Sequence, residues 1–198
     1  MTTSIEFFFD VGSPTAFLAH ERLQQLAQQY DLALTLKPIL LGGVFKATGN
    51  ASPVAVPAKG AYMAGVDLPR FVKRYGVELR FNPFFPINTL TLMRAAIAAR
   101  EQGCLPAYTD AVFKAIWQQE KNMGEIEVVQ AVLSEAGLDT DALLAATQDA
   151  TIKQTLIDET ASAVERGAFG VPTMFVGGEM YFGQDRLDFV EEQLAQAA

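Results

Sequence analysis

The feature that most restricts the fold is the way the first strand ends. Residues 4–9 read Ser-Ile-Glu-Phe-Phe-Phe, and Asp10-Val11-Gly12 stop the run just before Ser13-Pro14 open the next element. A short aromatic and apolar segment bounded by turn residues is the pattern of a buried strand. Pro14 suits a first helical turn, and Phe17, Leu18, Leu23 and Leu26 then recur at helical spacing until Tyr30-Asp31. Residues 32–38, Leu-Ala-Leu-Thr-Leu-Lys-Pro, return to strand alternation. Strand, tight turn, helix and strand in so short a span predict a parallel βαβ unit.

The other end of the chain has the complementary pattern. A helix is expected over 151–166, then a strand over 169–176, a Gly177-Gly178 hairpin turn, and a second strand over 179–182. Gly183-Gln184-Asp185 leads into a last helix from Arg186 to about Gln196, with Asp185 as its expected N-cap. Between these ends, Gly42, Gly43, Gly49, Asn50, Pro53 and Pro57 suggest an irregular loop, followed by helices over 90–100, 106–119, 126–136 and 141–147. No internal repeat and no low-complexity tract is visible.

The order is therefore βαβ, a block of helices, then αββα. Without the middle block it is a thioredoxin-like core, an α/β fold with helices on both faces of one small sheet. The expected division is residues 1–48 and 150–198 for that core, with 49–149 as an inserted α-helical domain. The Gly-Ser-Pro turn, Val171-Pro172 and Gly183-Gln184-Asp185 would then meet at one edge.

Composition excludes several functions. With 198 residues, half of them hydrophobic, the chain can bury a substantial core. A formal charge of -8 without a Lys/Arg block argues against nucleic acid. No signal-peptide pattern and no long apolar run is present, so a soluble cytoplasmic protein without a membrane partner is expected. Cys104 is the only cysteine, which removes any internal disulfide, CxxC redox pair or multi-cysteine metal site, and no metal is expected.

The segments "FFFDVGSPTAFLA", "KATGN", "PAKGAYM", "YGVELRF", "GAFGVPTMFV" and "YFGQDRL", in this order, resemble the 2-hydroxychromene-2-carboxylate isomerase family and its sister group, the kappa-class glutathione transferases. The resemblance covers nearly the whole chain. It implies a DsbA-like architecture, glutathione as cofactor and a homodimer. Ser13 is then the catalytic residue: at the start of the first helix its hydroxyl can stabilise a bound glutathione thiolate, since a free thiol near pKa 8.5 is little ionised at neutral pH. His20, the only histidine, lies seven residues further on. That is about 10 Å along the helix at 1.5 Å per residue, so no Ser-His dyad is expected. The alternative for Ser13 is a plain helix cap.

The same resemblance implies a cis Val171-Pro172 bond whose exposed backbone pairs with the cysteinyl part of glutathione, and Phe182, Gly183, Gln184 and Asp185 at its γ-glutamyl end. Asn50 would border glutathione, and Lys46, Lys59 and Phe85 the substrate; as ordinary loop or core residues they would have no such role. Phe45, Phe84, Phe85 and Trp117 are candidates for an aromatic wall. The chain departs from the family pattern where naphthalene-pathway isomerases place a lysine, an Asn-Arg pair and a tyrosine around the substrate carboxylate. Phe45, Ala55-Val56 and Phe85 fall near those places. The implied function is glutathione-dependent isomerisation of 2-hydroxychromene-2-carboxylate or a similar unsaturated aromatic keto acid in aromatic catabolism. The alternatives are a kappa-type transferase and a non-catalytic thioredoxin-like binding module.

Overall fold

The computed structural model describes residues 4–197. Residues 1 and 198, the outer limits of the expected core, lie outside the described residues. Four strands, β1 (Ile5–Phe9), β2 (Leu34–Pro38), β3 (Thr173–Val176) and β4 (Glu179–Phe182), form one sheet in the order β2-β1-β3-β4. β1 and β2 run parallel with Phe7 opposite Leu36; β1 and β3 are antiparallel with Phe7 opposite Met174; β3 and β4 form a hairpin. Gly177 and Gly178 both have positive φ, as a two-residue type I′ connection requires.

Among the described residues ten α-helices surround the sheet: α1 (Pro14–Tyr30), α2 (Leu41–Thr48), α3 (Pro57–Tyr62), α4 (Leu68–Tyr75), α5 (Leu90–Glu101), α6 (Leu105–Trp117), α7 (Ile126–Glu135), α8 (Thr140–Ala146), α9 (Ala150–Glu165) and α10 (Leu187–Ala197). The alternation of β1 decides which helices cover which face. Phe7 and Phe9 stack on each other and meet His20 of α1 and Phe113 of α6, respectively. Glu6 and Phe8 point the other way, to Arg166 at the end of α9, which pairs with Glu6 and lies over the Phe8 and Phe175 rings. Among the described residues no helix is long and apolar enough to cross a membrane.

Four sequence expectations change. The glycine-rich stretch after β2 is helix α2 rather than an irregular loop. Glycine is a poor helix former, but here it allows close packing: a Cβ on Gly43 would stand 3.1 Å from Thr160 Cγ2 of α9, and the Thr160 hydroxyl accepts the Leu40 N–H at 3.0 Å. Residues 57–75 add two helices joined by a π-helical turn, Met63–Asp67. That wide turn precedes Pro69, which has no N–H to give back to residue 65 and needs the space. The strand expected from 169 starts only at Thr173, since Pro172 cannot donate to a ladder and Gly170 instead turns its carbonyl to the Thr173 hydroxyl at 2.8 Å. Asp185 does not cap the last helix. It lies inside a short 3-10 turn, Gln184–Arg186, and its carboxylate pairs with the Arg186 guanidinium.

The interior holds one histidine. His20 is 3% exposed, between the Phe7 and Phe113 rings, and burial depresses its pKa to about 4 despite the nearby Asp110 carboxylate; Lys114 acts in the same direction as burial. The unfolded chain, with His20 near pKa 6.5, then takes up a proton before the folded chain does. Stability should therefore fall as pH drops from about 6.5 toward 4, by up to about 3 kcal/mol from this residue. Denaturant titrations across that range should show a shallower loss in His20→Gln than in wild type; identical slopes would remove His20 as the cause.

Candidate active site

The carboxyl end of β1 organises the site. Asp10 is 1% exposed, and its carboxylate accepts the Gly12 N–H at 2.9 Å, the Leu41 N–H at 2.9 Å and the Thr89 hydroxyl at 3.1 Å. Burial raises its pKa above the usual carboxylate range, while these three donors pull it back down. Gly12 permits the close approach, since a Cβ there would stand 2.8 Å from Thr89 Cγ2. Trp117 Nε1 fixes the next peptide by donating to the Val11 carbonyl at 2.8 Å.

Ser13 follows directly as the N-cap of α1. Its Oγ accepts the Ala16 N–H at 3.1 Å and lies 2.9 Å from Thr15 Oγ1. With the Thr15 hydroxyl donating to it, Ser13 has its own O–H left to give. The start of a 17-residue helix adds unpaired N–H groups and partial positive charge. Such a place favours an anion.

Across from Ser13 the Val171-Pro172 bond is cis. Among the described residues neither the N–H nor the C=O of Val171 has a hydrogen-bond partner, whereas the Pro172 carbonyl accepts the Gly183 N–H at 2.9 Å. That bond brings the turn after β4 beside the proline. The Tyr75 hydroxyl donates to the Gln184 carbonyl at 2.6 Å, and burial raises its phenol to about 12. Asp185 stays exposed.

These elements line one open cleft of about 1660 Å³. It contains Ser13, Asn50, Lys59, Phe85, Val171, Pro172, Phe182, Gly183, Gln184 and Asp185. Lys46 does not line it; this residue is exposed in the last turn of α2. Asn50 is engaged at both ends of its amide, Nδ2 donating to the Phe169 carbonyl at 2.8 Å and Oδ1 accepting the Ala51 N–H at 2.8 Å, so it straps two loops together across the cleft. Phe45 and Phe85 line the far wall, but Trp117 is fully buried behind it and Phe84 is turned to solvent. Lys59 is the one cation among the described lining residues. Sequence reading does not find Asp10 as the hub. The local part, a carboxylate two residues before Gly12, is visible as a turn signal; its bonds to Leu41 and Thr89 span 31 and 79 residues and leave no local mark.

A mixed four-stranded sheet with a cis-proline facing the first helix, and helices inserted between its second and third strands, defines a thioredoxin-like protein of the DsbA type. A family model for the DSBA-like thioredoxin domain matches residues 4–195. A 2-hydroxychromene-2-carboxylate isomerase of Pseudomonas putida is 34% identical over 97% of this chain and 94% of its own length. Glutathione S-transferase kappa 1 of Rattus norvegicus is 28% identical over 97% and 91%. A solved 2-hydroxychromene-2-carboxylate isomerase structure superposes with a TM-score of 0.87 at 32% identity, covering 98% of this chain and 95% of the other. The chain belongs to the 2-hydroxychromene-2-carboxylate isomerase family within the DSBA-like thioredoxin proteins.

The Asp10 hub makes a direct expectation. Asp10→Ala leaves the part-buried Gly12 and Leu41 N–H groups without acceptors and should cost about 1–3 kcal/mol of stability. Asp10→Asn should fall between the two, because one end of the amide presents hydrogens to backbone donors. Urea denaturation of the three proteins measures this, and equal stability of wild type and Asp10→Ala would show that water replaces the carboxylate.

Proposed function

We infer that the protein is a glutathione-dependent isomerase acting on 2-hydroxychromene-2-carboxylate or a similar unsaturated aromatic keto acid, with a role in aromatic compound catabolism. The observation that carries this reading is the meeting of Ser13, Val171-Pro172 and the 182–185 turn in one cleft, on a chain similar along its length to an isomerase. The groups present fit glutathione. The unpaired main chain of Val171 can pair with its cysteinyl unit, and the Gly183–Asp185 turn offers a carboxylate to its ammonium and backbone to its carboxylate. Asp185 then shares its carboxylate between Arg186 and the ligand.

When bound, glutathione supplies a thiolate that adds reversibly to a conjugated carbon, turns a fixed double bond into a rotatable single bond, and is regained on elimination. The chain contributes the setting. Ser13 and the α1 N-terminus hold the sulfur in its charged form, and the buried Asp10 fixes the turn that aims Ser13. Phe45 and Phe85 present apolar faces to an aromatic ring, and Lys59 offers a cation to the substrate carboxylate. In this reading the helical segment 49–149 supplies most of the substrate side, and the flanking core, 1–48 and 150–198, most of the glutathione side.

A second reading, a kappa-type glutathione transferase, draws on the sparse charge of the lining: with Phe45, Ala55-Val56 and Phe85 where the family pattern sets polar groups around a carboxylate, an uncharged electrophile also fits. The fate of glutathione separates the two. An isomerase needs it and returns it, whereas a transferase consumes one molecule per turnover.

The test combines calorimetric titration of glutathione, ultraviolet detection of the bound thiolate, and assay on conjugated aryl keto acids. Ser13→Ala should lose one hydrogen bond to an anion, lowering the thiolate signal and reducing kcat/KM about 10- to 100-fold. Asp185→Ala should weaken glutathione binding about tenfold with the protein still folded. Absence of binding at millimolar glutathione would sink this reading and favour a non-catalytic thioredoxin-like module.

A further inference from the structure

Three buried side-chain polar atoms lack a hydrogen-bond partner among the described residues: His20 Nδ1, Glu21 Oε1 and Thr109 Oγ1. All three lie on two neighbouring helices, α1 and α6. Protein interiors pair nearly all of their polar groups, so the orphaned atoms of the adjacent residues His20 and Glu21 point to an ion or water that belongs there. One ligand atom each from His20, Glu21 and Asp110 lies within 4.8 Å of the others. None of these residues lines the cleft.

We propose that His20, Glu21 and Asp110 form a binding site for a divalent transition-metal ion of the zinc type, which bridges α1 and α6. The donor chemistry selects the ion: one imidazole nitrogen with two carboxylate oxygens suits zinc, whereas magnesium and calcium prefer oxygen alone. Zinc bonds of about 2.0–2.2 Å place tetrahedral ligands roughly 3.4 Å apart, so the side chains must close in by about an ångström, within the reach of carboxylate rotamers. Three protein ligands leave a fourth position for water.

The imidazole is already arranged for the task. Its Nε2 lies 2.9 Å from the Gln24 side-chain amide and Nδ1 is unpaired. With the amide turned over, Gln24 Oε1 accepts the Nε2–H and the Nδ1 lone pair is left for a metal, as in histidines whose second nitrogen is held by an acceptor.

Lys114 is the competitor. Its ammonium is 2.8 Å from Asp110 Oδ2, and its charge opposes protonation of both His20 and Glu21. The side chain is 43% exposed and can swing into solvent when a metal takes Asp110. By the helical rise the site is about 10 Å from Ser13, which makes the ion a cross-link between helices rather than part of the chemistry.

The only histidine of the chain gives an unambiguous readout. Zinc is titrated into chelator-treated full-length protein, followed by calorimetry, thermal melting and imidazole nitrogen NMR. The expected result is one equivalent bound, a shift of the Nδ1 resonance, and a thermal midpoint raised by several degrees. Glu21→Gln should abolish the shift, Glu21→Gln and His20→Gln should each weaken binding at least tenfold, and Lys114→Met should tighten it several-fold by removing the competing cation. Cys104→Ser should change nothing. An unmoved imidazole at millimolar zinc would overturn the proposal and leave the pocket to water, as would binding that survives both Glu21→Gln and His20→Gln.

Discussion

A single buried carboxylate ties the turn before α1 to the rest of the molecule. Asp10 accepts bonds from the turn that positions Ser13, from the first residue of α2 and from the residue that precedes α5. Those donors come from a strand end, a crossover and the inserted helices. A charge taken out of water is expensive, and here it is tolerated because three directed donors meet it. The cost explains the precision: a half-satisfied Asp10 would be worse than none, so the three segments must arrive together.

The two sides of the cleft are built differently. Ser13, Val171, Pro172 and Gln184 are buried, and their neighbours are strands and a long helix. The cis-proline carbonyl accepts the Gly183 N–H, and the Tyr75 hydroxyl donates to the Gln184 carbonyl, so two bonds hold the start of the turn after β4. Charge follows the same division. The described lining has three carboxylates, Asp10, Asp67 and Asp185, against the single cation Lys59, so an anionic ligand depends on helix N-terminal groups and that one lysine for its attraction.

What is readable in the sequence follows from the range of each interaction. The β1 stop at Asp10-Gly12, the helical spacing of Phe17 to Leu26 and the Gly177-Gly178 turn are local, and the elements they foretell are present. Helices at 90–101, 105–117, 126–135, 140–146 and 150–165 keep their expected ends within about two residues for the same reason. Helix α2 is hidden because its glycines are poor formers by propensity, and Gly43 becomes useful only against Thr160, 117 residues away in the chain. Asp185 has the composition of a cap, but a 3-10 turn and Arg186 claim it. Family pattern names most cleft residues, yet Lys46 points away because α2 is a helix and turns it outward, and Trp117 is spent on the Val11 carbonyl.

The wall that would meet a second substrate is the least fixed part of the cleft. The 3-10 turn Pro53–Ala55, helix α3 and the π-helical turn contain no buried residue, while Val56 and Tyr62 are 47% and 53% exposed. Few buried apolar contacts mean a low cost of local rearrangement. The strap from Asn50 to the Phe169 carbonyl ties the start of this wall to the core, and α4, anchored by Leu68 and Tyr75, ties its end. Between those two points Val56, Lys59 and Tyr62 are exposed, and Met63 packs against the core. The segments fixed by Asp10 therefore hold one part of the cleft, and this wall is a segment that can shift without disturbing them.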